Sequence, residues 1–433
     1  MKKLRWTQRL GVSFAAIAAL LMTASPAGAQ GLAPEPGFDA ARKAPGFPVA
    51  PGIWRLQGID PELGTEDLEP LRKLIGKATV VGLGESYHTT GGFYDMKHRV
   101  FRFLVEKMGF RAFAFETDWQ SAEAATNYVQ TCAGNPEEAL RQLLNVWHGT
   151  EVLDILEWMC EWNRGHSDPA DKLSFFGFDI QDSLRDGVDL IAFLGRIGIP
   201  ERHEWSQGVQ ACERVRTSHP WGQIPQAVHD QCLGALASIE GHFRSNAQDI
   251  LARVSAQDLE RAKLMVVALR ANQNAVFWMP HDFVSGFNPR DEAMAHVFQT
   301  LRAQRFGNVK TAVWAADIHV ARTRLPRGER PMGSYLADSL GRGYASFAIT
   351  AYEAELDFPG FICGFAEPTP GSVEDRLHKL GEDFLLVDMA RSSYLKRGVY
   401  PLGIFRFQPR KNFTGIFFLD HAAKMEVVGR TPC

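Results

Sequence analysis

The sequence lacks the motifs that identify most hydrolases and nucleotide-binding enzymes. It contains no G-x-S-x-G elbow for a nucleophilic serine, no Walker A loop and no H-E-x-x-H zinc motif. The segment Gly82-Leu83-Gly84 is not followed by the third glycine that a dinucleotide requires. We therefore expect no nicotinamide or other cofactor, and a serine nucleophile of the usual hydrolase type is unsupported.

Long basic runs are also missing from the body of the chain, and so are cysteine pairs of the C-x-x-C type. The formal net charge of the 433-residue chain is −3, so nucleic acid is not an expected partner. Without C-x-x-C, neither a zinc knuckle nor a thioredoxin-like motif is supported. Beyond the N-terminus, no apolar stretch is long enough to span a bilayer.

The N-terminus has the pattern of a secretory signal peptide. Cations in residues 2–9 precede an apolar stretch over residues 11–22, and Ala27-Gly28-Ala29 forms an A-x-A cleavage signal. The pattern predicts cleavage after residue 29 and a periplasmic or secreted mature protein. An uncleaved membrane anchor is the alternative, although the stretch is short and wrongly flanked for one.

All six cysteines lie in the part of the chain that is predicted to be exported. An even number of cysteines in an oxidising compartment indicates disulfides. Pairing of neighbours along the chain would join Cys132 to Cys160, Cys212 to Cys232, and Cys363 to Cys433.

Strand-like and helix-like patterns alternate along the chain, which is typical of the α/β class. Two strand-like runs flank an amphipathic helix over residues 92–108, and this β-α-β unit over 79–116 implies parallel strands. From 183 to 305, apolar residues recur at helical spacing without a strand pattern. We predict a central, mostly parallel sheet flanked by helices, with a large all-helical insertion packed over the sheet's carboxyl edge.

The same patterns divide the chain into a signal peptide, an extended leader, a hydrolase-like core in two pieces, and the insertion. The leader is rich in Pro, Gly and Ala, as surface chain often is. The predicted boundaries are 1–29 for the signal peptide, 30–66 for the leader, 67–182 and 290–433 for the core, and 183–289 for the insertion.

Three predicted strands lead directly into titratable side chains. The strand at 80–84 is followed by Glu85, Ser86 and His88, the strand at 112–115 by Glu116, and the strand at 310–316 by Asp317 and His319. Open α/β sheets bind ligands at the carboxyl ends of their strands. The sequence therefore predicts that these side chains form one site.

Glu85 and His88 are the strongest candidates for chemistry. A neutral imidazole is the usual general base near neutral pH, and a neighbouring carboxylate fixes its tautomer and raises its basicity. Such a base contributes ~10²–10⁴-fold to a rate. Two other interpretations are open: Glu85 caps the following helix beside an ordinary loop histidine, or the pair binds a metal ion.

The cations near the strand ends are candidates for stabilising negative charge. Lys97 lies on the apolar side of the predicted helix, where Glu85 or Glu116 would be its natural partner. Of Lys97, His98 and Arg99, we expect two to face solvent. For Glu116, the structural alternative is an ion pair with Lys97 or Arg99.

Arg290 is predicted to begin a late helix and to reach back into the crevice. An aromatic-rich loop over residues 278–287 precedes it, and this loop would line an apolar substrate pocket or pack between domains. An ion pair with Asp291 at the helix N-terminus is the simpler alternative for Arg290. For Asp317 and His319, the alternative is a surface turn.

At these residues the chain resembles the erythromycin esterase family, from about Leu68 to the C-terminus. Several segments follow the family pattern in order and spacing: Gly84-Glu85-Ser86-Tyr87-His88, the helix over 97–104, residues 109–116, Phe176-Gly177-Phe178-Asp179, residues 290–294, Met332-Gly333-Ser334-Tyr335-Leu336 and residues 413–420. The resemblance implies metal-independent opening of an ester or macrolide lactone by water that a histidine activates. That histidine matches His88 by position, its supporting carboxylates match Glu85 and Glu116, and a cleft cation matches Lys97.

One departure from the family pattern concerns the third strand. The family typically has W-A-H-N-x-H there, whereas this chain has Trp314-Ala315-Ala316-Asp317-Ile318-His319. Alanine cannot donate, accept or titrate, so the role of the first histidine is lost or moved, for example to Asp317. The alternatives are a hydrolase that acts on another bond, a periplasmic binding or envelope protein without activity, and a metal or haem binder built on Glu85, His88 and His319.

Overall fold

The computed structural model describes residues 46, 48–181, 184–218, 224–358 and 362–429. The predicted signal peptide lies outside these residues, as does most of the predicted leader before residue 46. In the described part, no helix is long and apolar enough to cross a membrane.

Ten strands form one mixed sheet, and two more form a separate hairpin. The strands are β1 Pro48–Ala50, β2 Ile53–Arg55, β3 Val80–Leu83, β4 Ala112–Asp118, β5 Ser174–Asp179, β6 Thr311–Trp314, β7 Tyr344–Phe358, β8 Ile362–Ala366, β9 Phe384–Asp388, β10 Tyr400–Leu402, β11 Phe405–Phe407 and β12 Gly415–Ala422. The sheet order is β1-β2-β9-β12-β7-β3-β6-β4-β5, with β8 beside β7 and the β10–β11 hairpin apart. The run from β12 to β5 is parallel throughout, and the pairings outside it are antiparallel.

Helices cover both faces of this sheet. They are α1 Pro70–Ile75, α2 Gly91–Met108, α3 Glu123–Thr131, α4 Pro136–Leu140, α5 Thr150–Gly165, α6 Leu184–Arg196, α7 Glu204–Ser218, α8 Gln226–Ser245, α9 Ala247–Leu251, α10 Ala256–Trp278, α11 Phe283–Gln304, α12 Asp317–Val320, α13 Met332–Leu340, α14 Val373–His378 and α15 Pro409–Asn412. The predicted fold class, a mostly parallel sheet flanked by helices with a large helical segment, is confirmed.

The alternation of side chains in β4 separates the two halves of the core. Ala112 and Ala114 belong to one buried hydrophobic cluster, and Phe113 and Phe115 belong to the other. Successive side chains of a strand point to opposite faces, so the small residues pack under α10 and α11 while the rings pack under α2.

The helical segment packs against a face of the sheet and also meets the carboxyl edge, where the sequence suggested that it would lie. Phe298 of α11 stacks on Phe176 of β5 at 5.9 Å between ring centroids. The segment meets the carboxyl edge where Asn272 donates to the carbonyl oxygens of Ile180 and Gln181, at 3.0 and 3.1 Å. In its described residues, 184–218 and 224–304, it contains helices and no strand.

Two of the three predicted cysteine pairs are disulfide-bonded. Cys132–Cys160 joins the end of α3 to α5, and Cys212–Cys232 joins α7 to α8. The third predicted pair involves Cys433, which lies outside the described residues.

The segment after β12 is hydrogen-bonded to the loop that follows β3 and to helix α5. Met425 N–H donates to the carbonyl oxygen of Thr89 at 3.0 Å, and Glu426 N–H donates to Glu151 Oε1, also at 3.0 Å. Glu151 is buried, and burial raises its pKa to about 7. Burial and the charge of Glu151 likewise raise the pKa of Asp95 to about 7. Two carboxyls beside this segment therefore favour their protonated forms.

Glu151→Gln is expected to stabilise the protein at about pH 8 and not at about pH 4.5. A carboxyl whose folded-state pKa exceeds its unfolded value stabilises the fold below the unfolded pKa, and this contribution is lost as the pH rises through the folded pKa. Glutamine imitates the protonated acid, so the gain at about pH 8 is at most about 3 kcal/mol, at about 1.4 kcal/mol per pKa unit. Denaturant unfolding at both pH values measures it, with the exposed Glu161→Gln on the same helix as the control.

Candidate active site

The carboxyl ends of four adjacent strands meet at one edge of the sheet. In the order β3, β6, β4 and β5, these strands lead into Glu85, Asp317, Glu116 and Asp179. Each of these carboxyl groups is buried. Because the strands are parallel neighbours, residues far apart in the sequence are brought to the same edge.

Glu85 connects a histidine to a buried lysine. His88 Nδ1 lies 2.6 Å from Glu85 Oε1, and Lys97 Nζ donates to Glu85 Oε2 at 2.7 Å. The His88 side chain is 15% exposed, whereas those of Glu85 and Lys97 are fully buried. The Trp147 ring meets the imidazole edge-on, 5.0 Å away between centroids. One oxygen of the Glu85 carboxylate therefore holds the imidazole through Nδ1, and the other oxygen accepts from Lys97.

Lys97 is buried and does not reach solvent. Its ammonium lies 4.3 Å from the centroid of the Trp314 ring and 3.4 Å from the carbonyl oxygen of Ala315. Burial lowers the pKa of this ammonium, although the charge of Glu85 favours its protonated form. The expectation that two of residues 97–99 face solvent is wrong, because all three side chains are buried. Helix α2 is packed on more of its circumference than an amphipathic pattern indicates.

Arg290 forms the second charged cluster, with carboxylates from β4 and β5. Its guanidinium donates to Asp179 Oδ2 at 2.8 Å and to Glu116 Oε1 at 3.1 Å. Burial by itself raises the pKa of Glu116, but the charges of His319 and Arg290 outweigh it and hold the pKa below its usual range. Glu116 is therefore an ionised carboxylate, and its partner is Arg290, not Lys97 or Arg99.

His319 lies between two carboxylates. Its Nδ1 is 2.8 Å from Asp291 Oδ1, and its Nε2 is 3.3 Å from Glu116 Oε1 and 3.2 Å from Arg290 Nη1. Burial and Arg290 lower the pKa of His319, but Asp291 and Glu116 outweigh them and raise it to about 9. The raised pKa favours the protonated imidazole, which donates from Nδ1 to Asp291 and from Nε2 to Glu116. The neighbouring Arg290 Nη1 is then a second donor beside Glu116 and not a hydrogen-bond partner of His319.

The backbone of residues 315–317 connects the two clusters. The carbonyl of Ala315 accepts from Lys97, and Ala316 N–H donates to Glu116 Oε2 at 2.7 Å. Asp317 N–H donates to the carbonyl oxygen of Glu85 at 2.8 Å. The Ala316 side chain adds no polar group, yet its N–H helps to fix Glu116.

Asp317 and Ser86 each leave a buried oxygen, Asp317 Oδ2 and Ser86 Oγ, without a hydrogen-bond partner among the described residues. Asp317 Oδ1 accepts from Ile349 N–H at 3.2 Å and lies so close to Gly84 that a Cβ there would be 1.9 Å from it. Burial raises the pKa of Asp317 well above its usual range. Asp317 is buried against the sheet and is not part of a surface turn.

Arg290 lies inside a helix, which corrects the predicted start of that helix at residue 290. Helix α11 begins at Phe283, where the Asp282 side chain accepts from Val284 N–H, and it contains Pro289. The predicted aromatic loop therefore includes the first turn of this helix. Two carboxylates of the site, Asp179 and Asp291, were not chosen from the sequence. Asp179 follows an apolar, strand-like run in the sequence as Glu116 does, which is the signal that would have identified it.

The two clusters consist of paired cations and carboxylates. In the described part of the chain, no group of three or more His, Cys, Asp or Glu side chains is arranged to hold a metal ion. The arrangement offers an oriented imidazole at Glu85 and fixed cationic hydrogen-bond donors, Arg290 and His319, beside Glu116. Those are the elements that general base catalysis and oxyanion stabilisation require.

Comparison with known proteins identifies relatives of this chain. The family model for erythromycin esterase matches residues 105–420. A putative hydrolase of Bacillus subtilis strain 168, YbfO, is 28% identical over 402 residues, which cover 84% of this chain and 88% of that protein. Erythromycin esterase type II of Escherichia coli is 32% identical over 120 residues, a match that spans only 28% of each chain.

Solved structures share the fold. An erythromycin esterase mutant in its open conformation matches with a TM-score of 0.71 at 20% identity, over 86% of this chain and 98% of that one. A Bacillus cereus protein matches with a TM-score of 0.72 at 19% identity, over 86% and 96% of the two chains.

Proposed function

This chain is a hydrolase of the erythromycin esterase family, and from that premise we propose that it opens an ester or a macrolide-like lactone with water activated by His88. The contact of 2.6 Å between His88 Nδ1 and Glu85 Oε1 carries the proposal. With Nδ1 donating to the carboxylate, the neutral imidazole has its lone pair on Nε2. This nitrogen takes a proton from the water molecule that attacks the carbonyl carbon.

The reaction balances without a covalent enzyme intermediate. As water adds to the carbonyl carbon, its proton moves to His88 and negative charge forms on the carbonyl oxygen. When the bond to the alcohol oxygen breaks, His88 returns the proton to that oxygen, and an acid and an alcohol are released. Glu85 stabilises the imidazolium in between, and Lys97 holds Glu85 in place by donating to its other carboxylate oxygen.

The second cluster stabilises the negative charge. His319, which follows β6, and Arg290, on α11, are cationic side chains that both contact Glu116 of β4, and Glu116 orients them. Positive groups that are fixed before the reaction starts stabilise a developing oxyanion without reorganisation. Ser86 Oγ and Asp317 Oδ2, which have buried hydrogen-bonding capacity to spare, are proposed to contact the substrate.

Export and independence from metal ions are part of the proposal. Export rests on the basic, apolar and A-x-A pattern of residues 1–29. Metal independence rests on charge: His319 and Arg290 supply the positive charge that a metal ion would otherwise provide.

A substrate panel tests the proposed reaction. The mature protein is assayed against a macrolide lactone, simple esters and matched amides, with and without a chelator, and its mass after expression shows whether the chain begins at Gln30. Ester or lactone turnover that resists the chelator is expected. Turnover of amides alone would indicate another bond, loss of turnover with chelator would contradict metal independence, and binding without turnover would indicate a binding protein.

A further inference from the structure

The β10–β11 hairpin is held beside the strand end that carries His88. Its turn residue Gly403, with φ of +54°, packs so closely on Ser86 that a Cβ on Gly403 would lie 2.9 Å from Ser86 Cβ. Gly403 N–H donates to Glu374 Oε1 at 2.8 Å, and the Thr350 hydroxyl donates to the same oxygen at 2.6 Å. The hydrogen bond from Gly403 to this buried carboxyl fixes the position of the turn.

From the second strand of the hairpin, a row of aromatic rings leads to the other cluster. The Phe405 ring lies 6.2 Å from that of Phe283, which lies 5.3 Å from that of Phe287. Phe287 in turn stacks on His319 at 5.3 Å, with the two rings 13° from parallel. Phe287 is buried, whereas Phe283 and Phe405 are half-buried. The row thus starts at the surface and ends on the protonated imidazole.

We propose that this aromatic row binds an apolar chain of the ester substrate, and that the hairpin selects substrates by the length of that chain. The inference rests on the proposed function, because it places the apolar part of the substrate beside Arg290 and His319, which would hold the carbonyl oxygen of the substrate. The exposed parts of Phe283 and Phe405 provide apolar surface at the open end of the row. The hairpin contacts Ser86 through Gly403 and the open end of the row through Phe405, so it lies next to both His88's strand end and the proposed binding surface.

Truncation of Phe405 tests the selection. For esters of one alcohol, Phe405→Ala is expected to lower the ratio of kcat/KM for the hexanoate over the acetate about tenfold, because losing contacts with a few methylenes has at least that effect. Phe405→Leu keeps apolar bulk and is expected to restore most of the ratio. Phe365→Ala removes a ring that is 58% exposed on β8 and leaves the ratio unchanged. An unchanged ratio in folded Phe405→Ala overturns the inference.

Binding of unreactive analogues separates this inference from the proposed reaction. Two amides, a hexanoyl and an acetyl amide, are made from the amine that corresponds to the alcohol of the esters. Calorimetry of their binding measures the preference for acyl-chain length without turnover. Weaker binding of the hexanoyl amide by Phe405→Ala, by about tenfold, supports the row as a binding surface even if the wild type hydrolyses no ester. Equal affinity of wild type and variant for both amides overturns it, and the failure of wild-type turnover by itself contradicts only the proposed reaction.

Discussion

Replacement of His88 by asparagine is expected to lower kcat/KM for ester hydrolysis by ~10²–10⁴-fold, the usual contribution of a positioned general base. The asparagine amide can still donate to Glu85 Oε1, so the buried carboxylate keeps a partner. The amide cannot accept a proton from water near neutral pH. The melting temperature should therefore stay close to that of the wild type, and steady-state kinetics beside a thermal melt measure both effects.

His378→Asn is the matched control for this variant. His378 Nδ1 also lies 2.6 Å from a carboxylate oxygen, that of Asp420, but the two side chains are 41% and 36% exposed. Its replacement should leave kcat/KM within about twofold, as is usual for surface substitutions. A folded His88→Asn enzyme with wild-type turnover would remove His88 from the mechanism.

Replacement of Arg290 by methionine is expected to lower the free energy of unfolding by about 3–5 kcal/mol, because removing one partner leaves buried charges uncompensated. Arg290 neutralises Glu116 and Asp179 together, and both carboxyl groups are fully buried. Turnover should fall as well, since His319 would lose the geometry that Glu116 imposes. Denaturant unfolding at several pH values measures the stability.

The pH dependence of this loss has a definite sign. In the wild type, Arg290 and His319 hold the pKa of Glu116 below its unfolded value, so its contribution is present above that value and is lost as the pH falls. The deficit of Arg290→Met should therefore shrink as the pH falls, because the buried carboxyls that lose Arg290 have higher pKa values than in the wild type and accept protons first. Arg305→Met, which breaks a partly exposed pair with Glu123, should cost about 0–1 kcal/mol. Equal effects of the two substitutions would contradict the role of Arg290.

Much of the site was predictable because strand direction determines where strand ends lie. A β-α-β unit forces β3 and β4 to be parallel, which places Glu85 and Glu116 at one edge. The third strand, β6, lies between them, so Asp317 follows at the same edge. A carboxylate partner for Lys97 was also expected, either Glu85 or Glu116, because a lysine on the apolar side of a helix requires one.

The rest depended on tertiary packing that local patterns do not encode. Pro289 lies inside α11, whereas a proline within a helical pattern usually indicates a boundary, so the sequence placed the helix start too late. Arg290 reaches its partners only because α11 packs against β5. The strands β1 and β2 have three residues each, too few to show an alternating pattern.

The hairpin strands β10 and β11 were missed for the same reason. Their importance appears only in space, where Gly403 meets Ser86 and Phe405 meets Phe283. Glu374, which fixes the turn, comes from α14 and has no link to the site in the sequence pattern.

A single-turnover reaction in isotopically labelled water tests direct attack by water on the ester. Wild-type enzyme in excess is mixed with an ester, and the reaction is quenched at early times. Mass spectrometry then measures the masses of the acid product and of the intact protein. Direct attack predicts that the label enters the acid in the first turnover and that no acylated protein forms at any time. An unlabelled acid in the first turnover, or an acyl group on Ser86, Glu85 or Glu116, would contradict it.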